Sequence, residues 1–405
     1  MSSRSAVVAR PLRDVLQQRL LAAPFDPANL RPDELRARLT ALLRDEAPLT
    51  SDATATRVLD ELVADVDGLG PLQALLSDPT IDEIMVNGPH RVFVERNGHL
   101  EPVACDLDAA AIVRITQRVL APLGLRLDRA APMVDARLPD GSRLHAVLPP
   151  LAPDGPCLTI RRFPVNPVEL PDFGLDDAPV AFLEATVRAG WNIVVSGATS
   201  AGKTTCANAL ARSIDSNERI VTIEETAELR LGHPHVVRLE ARPANAEGAG
   251  AVTVRELVRA ALRMRPDRLV VGEVRGGEAF DMLQALNTGH DGSLSTVHAN
   301  APADALARLE TLVLLGGVAL PLAAVRAQLA SAIDVIVQVA RGANGRREIV
   351  AVAEISRSRG ARSLVARTLL ARSGDAVVAI DAPTRPPRRA GIDLEKVWQS
   401  CPRSS

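Results

Sequence analysis

The 405-residue chain has no tyrosine, two tryptophans and six phenylalanines. Stacking platforms for single-stranded nucleic acid are thinly supplied. The formal net charge of −2 offers no overall cationic excess to neutralise phosphates, so nucleic acid is not the expected partner. Cysteine is also scarce: Cys105, Cys157, Cys206 and Cys401 are scattered without a C-x-x-C pair. That excludes a disulfide framework and a zinc knuckle, so no zinc is expected, and a reducing compartment fits. The longest apolar run, Thr311 to Val325, is broken by Gly316, Gly317 and Pro321 and is too short to span a bilayer as a helix. The N-terminal MSSRSAVVARPLRDVLQQRL lacks the apolar core of a signal peptide, so a cytoplasmic protein is expected. Lysine is the last scarcity, with two against 45 arginines.

One of those lysines, Lys203, stands in NIVVSGATSAGKTT (192–205). Asn192 to Ser196 suits a buried parallel strand, and it runs directly into Gly197-Ala198-Thr199-Ser200-Ala201-Gly202-Lys203-Thr204, followed by Thr205. This is the spacing of a P-loop. Gly197 and Gly202 let the backbone turn so that successive N–H groups surround a phosphate chain, and a helix beginning near Lys203 adds its positive dipole end. Lys203 reaches the β- and γ-phosphates of ATP, and the Thr204 hydroxyl is placed to ligate Mg²⁺. A compact ammonium suits that cradle where a planar guanidinium would not.

Around this stretch the chain reads as an α/β protein with two main domains. Residues 1–50 form a helical N-terminal extension, with helices near Leu12 to Ala22 and Pro32 to Arg44, of mixed charge and read as solvated. Residues 51–163 form a smaller α+β domain. A helix over Asp52 to Gly68 leads into strands at Ile81–Val86 and Arg91–Glu95, a turn at Asn97-Gly98, and a helix over Ala109–Leu123. A second hairpin turns at Asp140-Gly141, and a strand follows at Leu158–Phe163. Residues 164–180 are a proline-rich linker. Residues 181–356 alternate strands and helices as a RecA-like P-loop domain, with strands at Ile193–Ser196, Ile220–Ile223, Leu269–Gly272, Leu294–Val297 and Val335–Val339. Residues 357–405 form a basic Pro/Arg-rich tail, read on composition as a solvated, partly disordered end. Its sharper reading is docking to an acidic partner or a membrane surface.

Ligands on such sheets bind beyond the carboxyl ends of the strands. Two strands end in carboxylates there: Glu273 closes RLVVGE and resembles the Walker B position that orients water or supports Mg²⁺, and Glu224-Glu225 closes IVTIEE. The stretch TGHDGSLSTVHAN holds His290 and His298, both read as able to face the nucleotide crevice.

GATSAGKTT, TIEETAELRL, RPDRLVVGEVRGGEAFDMLQALNTGHDGSLSTVHAN, IDEIMVNG and ARLPDGSRLHAVLPP together resemble the secretion ATPases. They are most similar to the tight-adherence (Flp) pilus assembly ATPases of the CpaF/TadA type, over about residues 52–340. The resemblance implies a two-domain subunit of a homohexameric ring, with ATP held between the N-terminal module and the RecA-like core. It further implies a membrane-embedded platform protein as partner and a peripheral location at the inner face of the cytoplasmic membrane. Carried over by position, Lys203 and Thr204 are Walker A, Glu224 belongs to the Asp box, Glu273 is the Walker B glutamate, and His290 and His298 form the His box. Arg137 and Arg143 match nucleotide-facing arginines, with Arg161 and Arg162 as weaker matches. Arg238 and Arg242 match positions near the site or the subunit interface. Glu225 departs from the family's Asp, and Ser295 replaces a common Thr.

The expected function is therefore Mg²⁺-dependent ATP hydrolysis that assembles or retracts a type IV-like pilus. The alternative in the same class is a VirB-type type IV secretion or conjugal-transfer motor; a type II motor fits less well without the tetracysteine zinc element. Two further classes are a nucleic-acid motor and a nucleotide-bound scaffold without turnover, which Glu225 leaves open.

Overall fold

The leucines of the first helices recur at helical spacing and so must be covered. The computed structural model describes residues 12–20, 22, 30, 32–96, 98–162, 168–242, 244, 249–342, 345–357 and 364–403. In it, α1 (12–20), α2 (Pro32–Glu46) and α3 (Asp52–Asp67) bury Leu16, Leu20, Leu35, Leu39, Leu43, Val58, Leu59 and Leu62 against one another. Ser51 caps α3 by accepting from Thr54 N. The reading of 1–50 as a solvated extension is thus corrected for its described residues, because their apolar stripes share a core with α3.

The chain separates into two compact units, Met1–Val165 and Asn166–Ser405. The first continues through α4 (Leu72–Ser77), β1 (Ile81–Asn87), β2 (Val92–Arg96), β3 (His99–Val103), α5 (Ala109–Leu120), β4 (Met133–Arg137), β5 (Arg143–Val147) and β6 (Cys157–Arg161). Its six strands form an antiparallel sheet in the order β3-β2-β1-β6-β5-β4. Asp108 caps α5 through Ala111 N at 2.6 Å, and α5 turns Ile112, Ile115 and Leu120 into the core formed by Ile84, Val86, Leu144, Leu158 and Ile160. Asn97 of the expected hairpin turn lies outside the described residues, as do 163–167 of the expected linker; Gly98 has φ 81°.

The second unit contains α6 (Asp177–Arg188), β7 (Ile193–Gly197), α7 (Lys203–Ala211), β8 (Ile220–Glu224), β9 (Val236–Glu240), α8 (Val254–Ala261), β10 (Arg268–Val271), α9 (Glu278–Asn287), β11 (Leu294–His298), α10 (Pro302–Leu315), α11 (Leu322–Ala332), β12 (Val335–Arg341), β13 (Arg347–Arg357), β14 (Leu364–Ser373), β15 (Ala376–Ala379) and α12 (Leu394–Trp398). The nine strands run in the order β15-β14-β13-β12-β7-β11-β10-β8-β9. From β12 to β9 all pairs are parallel, whereas β13, β14 and β15 add antiparallel pairs. Alternate residues of β7 feed two cores: Ile193 and Val195 pack on one face of the sheet and Val194 on the other. A strand covered on both faces needs an unbroken apolar run, which IVV supplies.

The tail does not behave as a solvated end. β14 and β15 extend the sheet, and Leu369, Leu370, Val377, Leu394 and Trp398 join the core. Five of its described arginines are paired within the chain: Arg367 with Glu354, Arg372 with Glu348, Arg385 and Arg388 with Asp334, and Arg389 with Glu218. Cations paired in this way are not available to an acidic partner or a membrane, so that sharper reading loses its basis for these residues. Residues 358–363 lie outside the described residues.

Several of these pairs close one end of the sheet. Asp334, before β12, accepts from Asn192 N at 2.8 Å and from Arg388 Nε at 2.6 Å, while Arg388 Nη1 donates to Asp291 at 2.9 Å. Buried Arg268, at the start of β10, grips Glu218 with two bonds of 2.7 and 2.8 Å. All lie at or just before the amino ends of the parallel strands. The carboxyl ends at Gly197, Glu224 and His298 lie opposite.

Candidate active site

At the carboxyl end of β7 the backbone leaves the sheet and makes the tight turn expected of a phosphate cradle. Gly202 (φ 100°) caps α7, and Ser200 also sits at positive φ, 59°. Glycine at 197 is needed for a different reason: a Cβ there would lie 2.5 Å from Val339 O on neighbouring β12. Ala198, Thr199 and Ser200 are exposed, while Ala201 and Lys203 are buried. Thr204 and Thr205 are half-buried in the first turn of α7. Lys203 Nζ donates to Ala198 O at 3.0 Å, and so spans the mouth of the loop.

β11 runs beside β7 in parallel, with His298 in register with Gly197. That pairing brings His298 Nδ1 to 3.1 Å and Nε2 to 3.4 Å from Lys203 Nζ. Burial first, then the Lys203 charge, hold the imidazole below its ordinary range, and Glu273 opposes them. The uncharged form is therefore favoured, which leaves a ring nitrogen able to accept from Lys203. His298 Nε2 and Glu273 Oε1 are 2.6 Å apart, but the angle does not make a hydrogen bond, so Oε1 is a buried oxygen without a donor. Backbone bonds bracket Glu273: the Thr296 hydroxyl donates to Gly272 O at 2.6 Å, and Val274 N donates to Thr296 O at 2.9 Å.

Glu224 ends β8 and is 3% exposed. Its Oε2 accepts from the backbone of Glu228 (2.6 Å) and Leu229 (2.9 Å), and Oε1 has no donor. Burial pushes this carboxyl up to about 7, although the two N–H bonds and Arg238 pull the other way. Its side chain needs Gly272 on the next strand, where a Cβ would sit 2.7 Å from Glu224 Cγ. One oxygen of Glu224 therefore holds the 225–229 turn, and only the other is open to chemistry.

His290 is elsewhere. It precedes β11 while His298 ends it, so the two sit at opposite ends of the same strand, and His290 Nδ1 is 3.0 Å from Ala285 O. The expectation that both face the nucleotide crevice is corrected: a strand of five residues spans roughly 16 Å, and His290 belongs to the end closed by Arg388 and Asp291.

Arg137, Arg143 and Arg161 are brought together in the first unit. Arg137 pairs with Arg143 across β4 and β5, Arg143 with Arg161 across β5 and β6, and Arg161 with Glu83 on β1. Like charges directly opposite one another cost stability unless they are answered, and Glu83 stands opposite the outermost of the three, Arg161. Arg162 instead donates to the carbonyls of Asp78 and Ile81. Arg238, on β9, donates to Ala227 O at 3.0 Å and acts on Glu224 through its charge; Arg242 donates to Gly250 O at 2.6 Å.

Three arginines near the loop were not singled out from sequence. Arg341 Nε donates to Ser200 O at 3.0 Å, and the Arg347 stem fills the space over Gly202. Both come from the β12–β13 hairpin, where they pair in register, a juxtaposition that no linear spacing reveals. Arg275, two residues beyond Glu273, touches Glu273 and Glu225; its signal was the short run GEVR.

The residues fit a nucleotide and Mg²⁺. A positive-φ turn with exposed backbone, a buried lysine across its mouth and two buried carboxylate oxygens without donors are what a phosphate chain with a divalent ion and water would satisfy. Among the described residues no cluster of three or more His, Cys, Asp or Glu side chains could hold a metal by itself.

The family model described as type II/IV secretion system protein matches residues 65–371. The chain belongs to this family. A putative conjugal transfer protein of Mycobacterium tuberculosis is 43% identical over 323 residues, covering 77% of this chain and 91% of that protein. The type IV secretion system protein PtlH of Bordetella pertussis is 39% identical over 321 residues, covering 69% and 92%. The pilus retraction motor PilT with bound ADP shares the fold at a TM-score of 0.52 and 20% identity, covering 74% of this chain and 82% of that one. As a secretion-family member, the chain thus resembles conjugal-transfer and type IV secretion proteins at higher identity than this pilus motor. No described helix is long and apolar enough to cross a membrane.

Proposed function

We propose that the protein is an ATPase that drives a type IV secretion or conjugal-transfer machine. The observation that carries the chemistry is the run Lys203 Nζ–His298–Glu273 at 3.1 and 2.6 Å beside the P-loop. Lys203 withdraws charge from the transferring phosphoryl group, Glu273 orients the attacking water through Oε1, and neutral His298 links the two. Thr204, with support from Glu273, would hold Mg²⁺, which when bound would supply positive charge for the phosphates. Glu224 supports the turn beside the site. Arg238 acts as a cation beside Glu224, and His290 serves the opposite end of β11. The working unit is a homo-oligomer, a hexamer by family resemblance, which acts on a membrane-embedded partner from the inner face of the membrane. The names of relatives at 39–43% identity favour secretion or conjugal transfer over tight-adherence pilus assembly.

Phosphate release from the purified protein with Mg²⁺ tests this. Lys203→Ala should abolish both nucleotide binding and turnover. Glu273→Ala should bind ATP and turn over at least about 100-fold more slowly, the scale of a lost transition-state contact. Wild-type turnover in both variants would refute the site. In cells, loss of DNA transfer or effector export on Lys203→Ala supports secretion, whereas loss of pili with transfer intact returns the pilus reading.

A further inference from the structure

Glu225 and Glu273 are brought side by side by the parallel pairing of β8 and β10. Val271 is in register with Ile223, and Gly272 N continues the ladder to Ile223 O at 2.9 Å, so the following residues, Glu225 and Glu273, succeed one another's neighbours at the strand ends. Two carboxylates so placed repel unless a cation is shared between them. Arg275 is that cation: Nη1 donates to Glu225 Oε2 and Nη2 donates to Glu273 Oε2, both at 2.8 Å. Its backbone is fixed independently, because Arg275 N and Gly276 N both donate to Glu278 Oε1, at 2.6 and 2.7 Å. The guanidinium therefore has a rigid origin and two anchors. On the far side of Glu273, His298 Nε2 faces Oε1, so Arg275 determines which oxygen of Glu273 is left toward the P-loop.

We propose that Arg275 is a positioning residue for Glu273 and that Glu225 acts on hydrolysis only through Arg275, as its second anchor, and not as a metal or water ligand. This rests on the ATPase reading above. Glu225 is the more exposed carboxylate, at 64% of its side chain against 21% for Glu273, which suits an anchor better than a group in the reacting core. A fork of two N–H donors in one plane is required, and lysine cannot supply it.

The test is a double-mutant cycle on steady-state ATP hydrolysis by the full chain, with Glu225→Gln, Arg275→Gln, the pair, and Arg275→Lys. Glu225→Gln should lower kcat about three- to tenfold with KM and the Mg²⁺ midpoint changed less than about twofold, and Arg275→Gln should lower kcat at least as far. In the Arg275→Gln background, Glu225→Gln should have no further effect, and Arg275→Lys should recover less than half of the loss. Multiplicative losses in the double variant, or a shifted Mg²⁺ midpoint in Glu225→Gln, overturn the proposal. An unaltered kcat in Arg275→Gln also overturns it. Absence of turnover in the wild-type protein overturns the ATPase reading itself, a distinguishable outcome. Thermal unfolding of each variant separates misfolding from mispositioning.

Discussion

Replacing Glu224 by glutamine removes a titrating group while keeping its shape, and the structure fixes the sign of the result. Burial pushes the carboxyl up to about 7 from the ordinary 4.5. The folded protein therefore holds this proton more tightly than the unfolded chain. The stability it contributes is complete below the unfolded value and is lost as pH rises through the folded one. Relative to a side chain that does not titrate, the cost at about 1.4 kcal/mol per pKa unit is on the order of 3 kcal/mol at about pH 8.5 and about 1.4 kcal/mol at about pH 5.5. Glu224→Gln also carries a pH-independent cost, since an amide nitrogen can stand where the donor-free Oε1 was. Only the difference between the two pH values, about 2 kcal/mol, is diagnostic. At about 2–4 °C per kcal/mol for a unit of this size, the gain in Tm over wild type should be about 4–8 °C larger at the alkaline pH. Calorimetry without nucleotide or Mg²⁺ reads it directly. A gain equal at both pH values, or larger in acid, refutes the assignment of Glu224 as a carboxyl whose ionisation is opposed by burial.

Gly197→Ala should leave the fold in place but displace the P-loop, because the new Cβ meets Val339 O at 2.5 Å; titration with a fluorescent nucleotide should show at least about a tenfold weaker Kd, and unaltered affinity would refute the close approach. A chain ending at Ile380 should not yield a folded second unit. It leaves Asp334 and Glu354 buried at 2% and 0% exposure without Arg385 and Arg388 or the Thr384 and Arg385 N–H groups. Each broken pair costs about 3–5 kcal/mol, against a total stability of about 5–15 kcal/mol. Recovery of soluble protein with wild-type Tm would refute the structural role of the tail.

The P-loop was legible because its chemistry is local. Gly197, Gly202 and Lys203 must be near one another in sequence to build one turn, and the flanking strand and helix follow from an apolar run and a capping glycine. The five expected strands of the second unit coincide with β7, β8, β10, β11 and β12 because each is short, almost wholly buried and rich in β-branched residues, even where Thr222, Ser295, Thr296 or Gln338 interrupts the apolar run. β9 was missed: it is the edge strand, half-exposed, with Arg238 at its centre. The tail was misread for a related reason. In LVARTLLARS, arginines interrupt the apolar residues and composition suggests solvation. Yet Arg367 and Arg372 answer Glu354 and Glu348, carboxylates on the neighbouring strand β13, and nothing in the local sequence announces a partner so placed. The same limit governs the site. Lys203, Glu273 and His298 could each be named from sequence, but which of the two histidines meets the lysine depends on strand direction. His290 and His298 are eight positions apart in one motif, and only the parallel register of β11 on β7 places His298 beside Gly197 and sends His290 to the other end. A motif gives residue types in order; a sheet decides which end of the motif is at the phosphate. The charge row Arg137–Arg143–Arg161 makes the converse case: three residues from separate stretches become cross-strand neighbours, a juxtaposition that no linear spacing announces.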